Sequence, residues 1–322
     1  MILLSYMKKK LLIIGGGFVG SLVAKELENK FETTLIDKKE YFEYYPGILR
    51  IVINNNHKEK IKVKYKNYLK KSLIINGTVL SINNNFVTVG RKNIPYEYLV
   101  ICAGTKYKNH MKNEFCIPSY EIENFDKDKE KIKKAKNITI VGGGLVGIEL
   151  AAELIELKNK KITILQSRET IIHEENKKSI NYATEYLEKN GVNIILNTKV
   201  KKIIKKTIIT NENKKINSDL IFLCIGKIPN TDFMLKNFSE YLDEKRYIKT
   251  DEYLRLINHN NIFAGGDIIS INKNKLAQNA KEHAKIIINN IINSEENKKL
   301  KEYRPKEKIK VISLGTKNGI IT

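Results

Sequence analysis

The length and charge of the chain limit what it can be. Its 322 residues, 42% of them apolar, predict two domains that can each bury a core. Lys and Arg number 58 against 36 Asp and Glu, which gives a formal net charge of +22. Because Lys, Asn and Ile are enriched along the whole chain, we interpret this excess as a compositional bias and expect no nucleic acid partner. Three Cys without a close pair exclude a disulphide-stapled secreted domain and a cysteine zinc cluster.

The sequence also bears on localisation. No apolar run reaches the ~18 residues that a membrane-spanning helix needs. Residues 1–7, MILLSYM, precede three lysines, which is the opposite order to a secretory signal. We therefore expect a soluble cytoplasmic protein, with peripheral contact to an anionic membrane left open. Residues 57–71, HKEKIKVKYKNYLKK, carry seven Lys, and we interpret them as a solvated strand face, with a lipid surface or a nucleic acid as alternatives.

The first pattern in chain order lies at residues 9–20, KKLLIIGGGFVG, an apolar strand, a glycine turn and the start of a helix. Gly15, Gly17 and Gly20 occupy the G-x-G-x-x-G positions, which allow a tight turn and close approach of the backbone to a pyrophosphate. The free N–H groups of the helix start, at Phe18 and Val19, attract the phosphates. The next strand, FETTLID, ends at an acidic residue that accepts hydrogen bonds from a ribose 2′-OH. The sequence therefore predicts a dinucleotide site, completed by Asp37 and Lys38.

The same pattern returns at residues 136–147, KNITIVGGGLVG. The corresponding positions, which predict a second dinucleotide site, are Gly142, Gly144, Leu145, Val146 and Gly147. Here the following strand, KKITILQ, ends at the neutral Gln166, and Arg168 lies two residues further on. An amide beside a guanidinium does not repel a 2′-phosphate, so we expect NADPH to be tolerated as well as NADH. A solvated surface role for Arg168 is the alternative.

Two further strands repeat as well, in YEYLVICAGT (96–105) and SDLIFLCIGKIPN (218–230). Cys102 and Cys224 end these strands, and we interpret both as small buried hydrophobes rather than redox groups. The repeat predicts an α/β protein with two Rossmann-like dinucleotide-binding domains, the second inserted in the first.

The order of motifs resembles that of the two-dinucleotide flavoproteins among the pyridine nucleotide oxidoreductases. These motifs are the two fingerprints, ICAGT, LCIGKIPN and NIFAGGDI (261–268). Three stretches, LIDKKEYFEYYPGIL (35–49), GGGLVGIELAAEL (142–154) and AQNAKEHA (277–284), are similar to the type II NADH dehydrogenases and the apoptosis-inducing-factor-like NAD(P)H:quinone oxidoreductases. The resemblance covers residues 8 to 316. It implies FAD in the first fold and NAD(P)H in the second.

The resemblance also assigns roles around the flavin. Gly266 and Asp267 would bind the ribityl chain of FAD, and a helix N-cap is the alternative role for the aspartate. Three residues where the chain crosses between the domains would lie along FAD: Ala103, Gly104 and Thr105. Ala103 stands where the family usually has Thr.

Further residues of this resemblance concern the reacting groups. Glu149 would reach the nicotinamide and the flavin as a catalytic residue, whereas Glu153, four residues on, would be structural. Gly226 and Pro229 would lie at the edge of the nucleotide site. Ala277 and the catalytic Gln278 would begin a helix whose N–H groups face the flavin C2 carbonyl. Glu282 and His283 follow; the histidine is a candidate proton donor to a quinone or, equally, a packing residue.

The absence of suitably placed cysteine and histidine residues limits which electron acceptor the protein can use. Disulphide reductases need two cysteines near the flavin, and peroxide- or persulphide-handling relatives need one within 41–49, where there is none. Five scattered His give no metal-ligand spacing. We therefore expect a quinone as the acceptor. The alternatives are a small carrier of the ferredoxin or rubredoxin type, and a low-turnover regulatory flavoprotein that binds a membrane or a nucleic acid.

The predicted domains follow from where the motifs return. The FAD domain would comprise residues 1–112 and 245–292, and the NAD(P)H domain residues 113–244. Residues 123–137 alternate in charge and predict a solvated helix. Residues 293–322 begin what resembles a third domain and would form only a partial C-terminal β segment, too short for its own core. The oligomeric state is open and includes a homodimer.

Overall fold

The computed structural model describes residues 8–107, 113–118, 122–271 and 275–322. The N-terminal MILLSYM lies outside the described residues. The described chain divides into two compact units. The first holds the described residues up to Glu43, with Lys62–Lys106 and Lys227–Glu307, and the second holds Tyr44–Ile61, Tyr107–Gly226 and Lys308–Thr322.

The elements alternate between strand and helix over most of the chain. In chain order the strands are β1 (Lys10–Ile14), β2 (Glu32–Asp37), β3 (Tyr41–Glu43), β4 (Lys62–Lys64), β5 (Leu73–Asn76), β6 (Val79–Ile82), β7 (Phe86–Val89), β8 (Lys92–Pro95), β9 (Tyr98–Ile101), β10 (Thr105–Tyr107), β11 (Cys116–Pro118), β12 (Asn137–Val141), β13 (Lys161–Leu165), β14 (Asn193–Ile195), β15 (Val200–Ile204), β16 (Thr207–Thr210), β17 (Lys215–Asn217), β18 (Leu220–Leu223), β19 (Lys227–Pro229), β20 (Ile262–Ala264), β21 (Val311–Leu314) and β22 (Asn318–Ile321).

The α-helices are α1 (Phe18–Leu27), α2 (Lys58–Ile61), α3 (Tyr65–Tyr68), α4 (Ile122–Lys134), α5 (Leu145–Leu154), α6 (Lys177–Lys189) and α7 (Ala277–Glu295). Short 3₁₀ helices cover Tyr45–Val52, Asn55–His57, Asp232–Met234 and Ser239–Tyr241. None of the helices in the described ranges is both long and apolar enough to cross a membrane.

Each unit is built on one parallel five-stranded sheet. The strand order is β20-β9-β1-β2-β5 in the first unit and β11-β18-β12-β13-β14 in the second. Four strands occur in the same spatial order, with β1 and β2 matching β12 and β13, while the fifth comes from a late strand in one unit and an early strand in the other. These two sheets confirm the predicted α/β class with two Rossmann-like folds.

Continuous apolar strands explain why these sheets are covered on both faces. All four residues from Leu11 to Ile14 are buried, and the matching strand β12 shows the same burial pattern. In the first unit the helices α1 and α7 pack against each other, which brings the first glycine turn and the late helix together. The large apolar side chains that fill this core include Leu35 and Phe263.

Smaller antiparallel pieces complete the units. In the first unit β3 pairs with β4, and β6, β7 and β8 form a three-stranded sheet. In the second unit β15, β16 and β17 form another, and β21 and β22 form a hairpin at residues 311–321. The limits of the two compact units differ from the domain boundaries predicted at residues 112, 244 and 292. Within the predicted C-terminal segment, residues 293–307 group with the first unit and 308–322 with the second.

The basic segment at residues 57–71 differs from its interpretation as one strand face. Only β4 is a strand, and the short helices α2 and α3 flank it. Ile61 and Tyr65 are buried, whereas five of the seven lysines are exposed and two, Lys58 and Lys62, are half-buried. The interpretation was wrong because the alternation of Lys with apolar residues is too short to distinguish a strand from single helical turns. The charged helix predicted near residues 123–137 is confirmed as α4.

Candidate dinucleotide sites

The first glycine turn is shaped by close backbone contacts. Gly15 has φ +100°, and a Cβ there would lie 2.5 Å from the Cys102 carbonyl oxygen. A Cβ on Gly20 would lie 1.9 Å from the Gly15 carbonyl oxygen, so the helix can meet the strand only without side chains. Gly17 is the N-cap of α1, has open space where its Cβ would be, and makes no side-chain cap hydrogen bond to the helix. Phe18 and Val19 then begin the helix, so this turn fits a pyrophosphate.

Asp37 ends β2 beside this turn. Its carboxylate accepts hydrogen bonds from the Gly16 N–H at 2.5 Å and the Lys39 N–H at 2.8 Å. The Tyr65 hydroxyl donates to the Gly16 carbonyl at 3.2 Å, and burial, followed by the charge of Asp37, raises the pKa of that phenol. Lys38 follows Asp37 outside the strand. A carboxylate has about four acceptor positions, so two N–H contacts leave Asp37 able to take a ribose hydroxyl.

Sequence reasoning missed the tyrosines that support the turn. The Tyr68 hydroxyl donates to Ser21 Oγ at 2.9 Å, and Ser21 Oγ donates to the Gly16 carbonyl at 2.6 Å. Tyr65 and Tyr68 lie on a four-residue helix, α3, far from the fingerprint in the chain. No local sequence signal identifies them, because their partners are reached only through tertiary packing.

The ICAGT stretch follows β9 in the first unit. Gly104 has φ +64° and open space at its Cβ position. Its carbonyl accepts the Asn230 N–H at 3.0 Å, and the Ala103 carbonyl accepts the Asn230 side-chain amide at 3.5 Å. Thr105 then starts β10, which pairs with β19, so the motifs ICAGT and KIPN lie side by side in the first unit.

The Gly-Gly-Asp turn after β20 lines a cleft in the first unit. The residues around this cleft are Gly266, Asp267, Ile271, Lys275, Leu276, Asn279, Ala280 and His283. Burial raises the pKa of the Asp267 carboxyl, while Lys227 and Lys275 oppose that rise. No helix begins at Asp267 in the described residues, and Leu276 is the N-cap of α7, so the alternative role of Asp267 as a helix N-cap was wrong.

Helix α7 begins at Ala277, where the resemblance implied the start of a helix. Ala277 is half-buried and Gln278 is exposed, and neither lines the cleft, whereas Asn279 does. The catalytic role expected for Gln278 stays a prediction. Glu282 is half-buried, and His283 is buried with its Nδ1 accepting the Gly266 N–H at 3.0 Å. Burial lowers the pKa of His283 to about 4, which favours its packing role over that of a proton donor.

The second glycine turn repeats the geometry of the first. Gly142 has φ +109°, with its Cβ position 2.6 Å from the Cys224 carbonyl oxygen. A Cβ on Gly147 would lie 1.9 Å from the Gly142 carbonyl oxygen, and Gly144 has open space. Gly144 is also the N-cap of α5, whose first N–H groups have no side-chain cap. The partly exposed Leu145 and Val146 start that helix, so this turn also fits a pyrophosphate.

Beyond β13 the structure separates Gln166 from Arg168. The Gln166 amide donates to the Thr170 carbonyl and accepts the Ser167 N–H, both at 3.0 Å, and the side chain is buried. Its polar atoms therefore hold the loop, while Arg168 is exposed. Gly226, after β18, has φ +44° and open space at its Cβ position. A preference for NADPH would thus depend on Arg168 more than on Gln166.

The two glutamates of α5 have different partners. Glu149 accepts the Ser313 N–H at 3.0 Å, and burial raises the pKa of its carboxyl to about 7. Glu153 is buried and pairs with Arg50, whose Nε lies 2.8 Å from a carboxylate oxygen. Arg50 also donates to the Gly315 carbonyl at 2.9 Å. Glu153 therefore has a structural contact, as the sequence implied, and the hairpin at 311–321 reaches both acids through residues that sequence reasoning missed.

The three cysteines form no disulphide with one another, and Cys102 and Cys116 are buried, whereas Cys224 is half-buried, so the interpretation of Cys224 as a buried hydrophobe was wrong. Burial raises the pKa of both buried cysteines, so they are protonated thiols near neutral pH and poor nucleophiles. In the described ranges no group of three His, Cys, Asp or Glu side chains could hold a metal ion.

Comparisons with known proteins agree with this arrangement. Residues 9–284 match the model of the pyridine nucleotide-disulphide oxidoreductase family. The chain belongs to that family. It is 33% identical to apoptosis-inducing factor homolog A of Dictyostelium discoideum, over 97% of this chain and 84% of that protein. It is 28% identical to ferroptosis suppressor protein 1 of Xenopus laevis, over 97% and 87% of the two chains.

Solved structures share the fold at low sequence identity. NDH2 from Plasmodium falciparum in complex with NADH superposes with a TM-score of 0.86 at 18% identity, covering 98% of this chain and 90% of that one. The sulfide:quinone oxidoreductase of Aquifex aeolicus gives 0.82 at 20% identity, covering 95% and 82%. The chain is thus an oxidoreductase of a family whose members generally bind FAD and NAD(P)H.

Proposed function

We propose that the protein is an NAD(P)H:quinone oxidoreductase that uses FAD. The observation that carries this proposal is the pair of uncapped glycine turns, one per parallel sheet, each shaped so tightly that only glycine fits at the contacts. Two such turns call for two dinucleotides, as the flavin and nicotinamide reductases use. The similarity to apoptosis-inducing factor homologues and to ferroptosis suppressor protein 1 supports the same class.

The residues of the first unit would hold FAD. When bound, FAD would accept a hydride and pass two electrons to the acceptor. The N–H groups at the start of α1 would bind the pyrophosphate, and Asp37 would accept a ribose hydroxyl. Asp267 would accept a hydroxyl of the ribityl chain, with Lys227 and Lys275 compensating its charge in the cleft. The positive charges of Lys227 and Lys275 offset part of the cost of burying this aspartate.

The residues of the second unit would hold NAD(P)H. The start of α5 would bind its pyrophosphate, and Gly226 leaves backbone space at the edge of the site. Glu149 would bind the nicotinamide, and a carboxyl with a pKa of about 7 can either donate or accept a hydrogen bond near neutral pH. A peripheral membrane position would give access to a lipid-soluble quinone, and a homodimer is compatible with this function.

The burial of the cysteine thiols bears on the identity of the electron acceptor. Acceptors that react through a protein cysteine need an accessible thiolate, whereas Cys102 and Cys116 are buried protonated thiols. A quinone accepts electrons without a protein thiol. The sulfide:quinone oxidoreductase of Aquifex aeolicus and NDH2 in complex with NADH share the fold of this chain.

The test is anaerobic stopped-flow absorbance of the purified protein, mixed first with NADH or NADPH and then with a soluble ubiquinone or menaquinone analogue. We expect the yellow flavin to bleach within about a second, on the scale of median enzyme turnover, and quinone to restore it. Bleaching without reoxidation by quinone would instead indicate a protein carrier as acceptor. A colourless protein, or a flavin that neither nucleotide reduces, would overturn the proposal.

Glu149→Ala tests the role of that residue in the same assay. We expect flavin reduction to slow by about 10- to 100-fold while FAD stays bound. The matched control is Glu185→Ala, an exposed glutamate on α6, which should leave reduction unchanged. Wild-type reduction in Glu149→Ala would refute the assigned role.

A further inference from the structure

The Gly-Gly-Asp turn of the first unit is enclosed by two helices. A Cβ on Gly265 would lie 2.9 Å from Ile287 Cδ1 and 3.1 Å from His283 Cβ, both on α7. A Cβ on Gly266 would lie 3.3 Å from Val19 Cγ2 on α1, and Gly266 has φ +84°. The two glycines have no side chains that could hold the turn, so contacts from the helices determine its position.

His283 supplies a directed polar contact to this turn. Its Nδ1 accepts the Gly266 N–H at 3.0 Å, one residue before Asp267. The ring is 2% exposed, and Tyr303 meets it edge-on with ring centroids 4.5 Å apart. A ring held on both sides in this way cannot turn its acceptor elsewhere without repacking.

The acceptor role requires an imidazole without a proton on Nδ1. Burial and the nearby Lys275 lower the pKa of His283, while Glu282 opposes them, with the result at about 4. The ring is therefore neutral at physiological pH and carries its proton on Nε2. A backbone N–H buried beside it would lose its partner if the ring were protonated or removed.

We propose that His283 is a positioning residue for FAD: it holds the Gly266 N–H and thereby keeps Asp267 directed into the cleft between the turn and the start of α7. This inference rests on the proposed function, because that function places the ribityl chain at Asp267. It goes further by giving α7 a part in retention of the cofactor, through the turn. It also gives His283 a role other than donating a proton to the acceptor.

The variants follow from the geometry of the ring. His283→Asn places an amide oxygen near the position of Nδ1 and preserves an acceptor for the Gly266 N–H. His283→Leu removes the acceptor, and His283→Gln moves the polar group to the position of Nε2. The matched control is His259→Leu, which removes a histidine of the same unit that stacks on Phe238 and does not line the cleft.

The readout is FAD retention, measured on the FAD-loaded protein by serial dilution and the fluorescence of released flavin. We expect the dissociation constant for FAD to rise about 10- to 100-fold in His283→Leu and His283→Gln, because a buried N–H without an acceptor is costly. His283→Asn and His259→Leu should stay within about threefold of the wild type. Circular dichroism of each variant checks that it is folded.

A double-mutant cycle with Asp267→Ala separates positioning from general stability. If His283 acts through Asp267, His283→Leu should weaken FAD binding by less than about threefold once Asp267 is replaced. Independent, multiplying losses would overturn the inference, as would equal losses in His283→Asn and His283→Leu. Wild-type FAD retention in folded His283→Leu would overturn it alone, whereas a wild-type chain that binds no FAD would overturn the proposed function as well.

Discussion

Replacement of Glu149 by Gln should change how the stability of the protein depends on pH. The folded state raises the pKa of this carboxyl from its ordinary value of about 4.5 to about 7, chiefly because the side chain is buried. Between these two pH values the folded protein holds a proton that the unfolded chain has lost. The free energy of unfolding therefore falls as pH rises from about 4.5 to about 7, and stays low above that range.

The expected size follows from the same difference. A change from 4.5 to about 7 corresponds to about 3 kcal/mol, at about 1.4 kcal/mol for each tenfold change in proton affinity. Glu149 is half-buried by accessible surface, so solvent screening reduces this free energy, and we expect about 1 to 3 kcal/mol. A neutral amide in Glu149→Gln keeps an oxygen to accept the Ser313 N–H and has no proton to lose.

The assay is urea unfolding followed by far-ultraviolet circular dichroism, since the chain has no Trp for fluorescence. At pH 5 the FAD-loaded wild type and Glu149→Gln should unfold at similar urea concentrations. At pH 8 the variant should be the more stable by the amount above, and Glu185→Gln, an exposed control on α6, should follow the wild type at both pH values. An equal difference at pH 5 and pH 8 would refute the argument.

A second perturbation reaches Glu149 from the hairpin. Ser313 pairs with Gly319 at a position where neither residue contributes a ladder hydrogen bond, because the 310–322 pair is hydrogen-bonded and the bonds alternate. Ser313→Pro therefore removes the N–H that Glu149 accepts without breaking the hairpin. The pKa of Glu149 should rise further, measured by carboxyl infrared titration against Glu149→Gln. Val311→Pro, at the equivalent outward position, should leave it unchanged, and equal shifts would contradict this account.

The other predictions concern separate contacts. Arg50→Met leaves the buried Glu153 without its cation and should lower the free energy of unfolding by about 3 kcal/mol in urea. Adding Glu153→Gln to the same chain removes the unpaired charge and should restore stability. Gly147→Ala should abolish NADH binding measured by calorimetry, because its Cβ would lie 1.9 Å from the Gly142 carbonyl oxygen. Gly144→Ala has open space at its Cβ position and should still fold. Equal behaviour of the two variants would contradict the clash. Acidification toward pH 4 should release FAD from the wild type faster than from His283→Asn, because protonation of His283 removes the acceptor of the Gly266 N–H. Since the pKa of His283 is lowered, the stability that the neutral ring contributes is present above about pH 6.5 and is lost as the pH falls through about 4. Identical release profiles of the two proteins would contradict this account.

Some parts of the site were predictable because they obey local rules. The glycine spacing at residues 15–20 and 142–147 dictates strand, turn and helix within twelve residues, and the structure places each of these elements as expected. The acidic residue ending β2 is equally local, since it follows from the end of one strand. The family and the fold followed from the order of such motifs along the chain.

Other parts depend on residues that no local pattern joins. Asn279 lines the cleft beside Asp267 while its neighbour Gln278 is exposed, because one position along a helix turns the side chain by about 100° and only packing fixes the rotation. Tyr65 supports the first turn from a short helix that the sequence suggested was a strand. Such contacts need the backbone path, which alternating lysines do not reveal.

The sequence by itself thus determined the two dinucleotide folds, their glycine turns and the absence of a close cysteine pair, since each is written in short-range spacing and residue type. Tertiary structure alone decided the protonation and partners of the buried acids and the histidine. Glu149 meets Ser313, 164 residues away, and His283 meets Gly266, 17 residues away. A pKa depends on burial and on nearby charges in space, and neither quantity exists until the chain has folded.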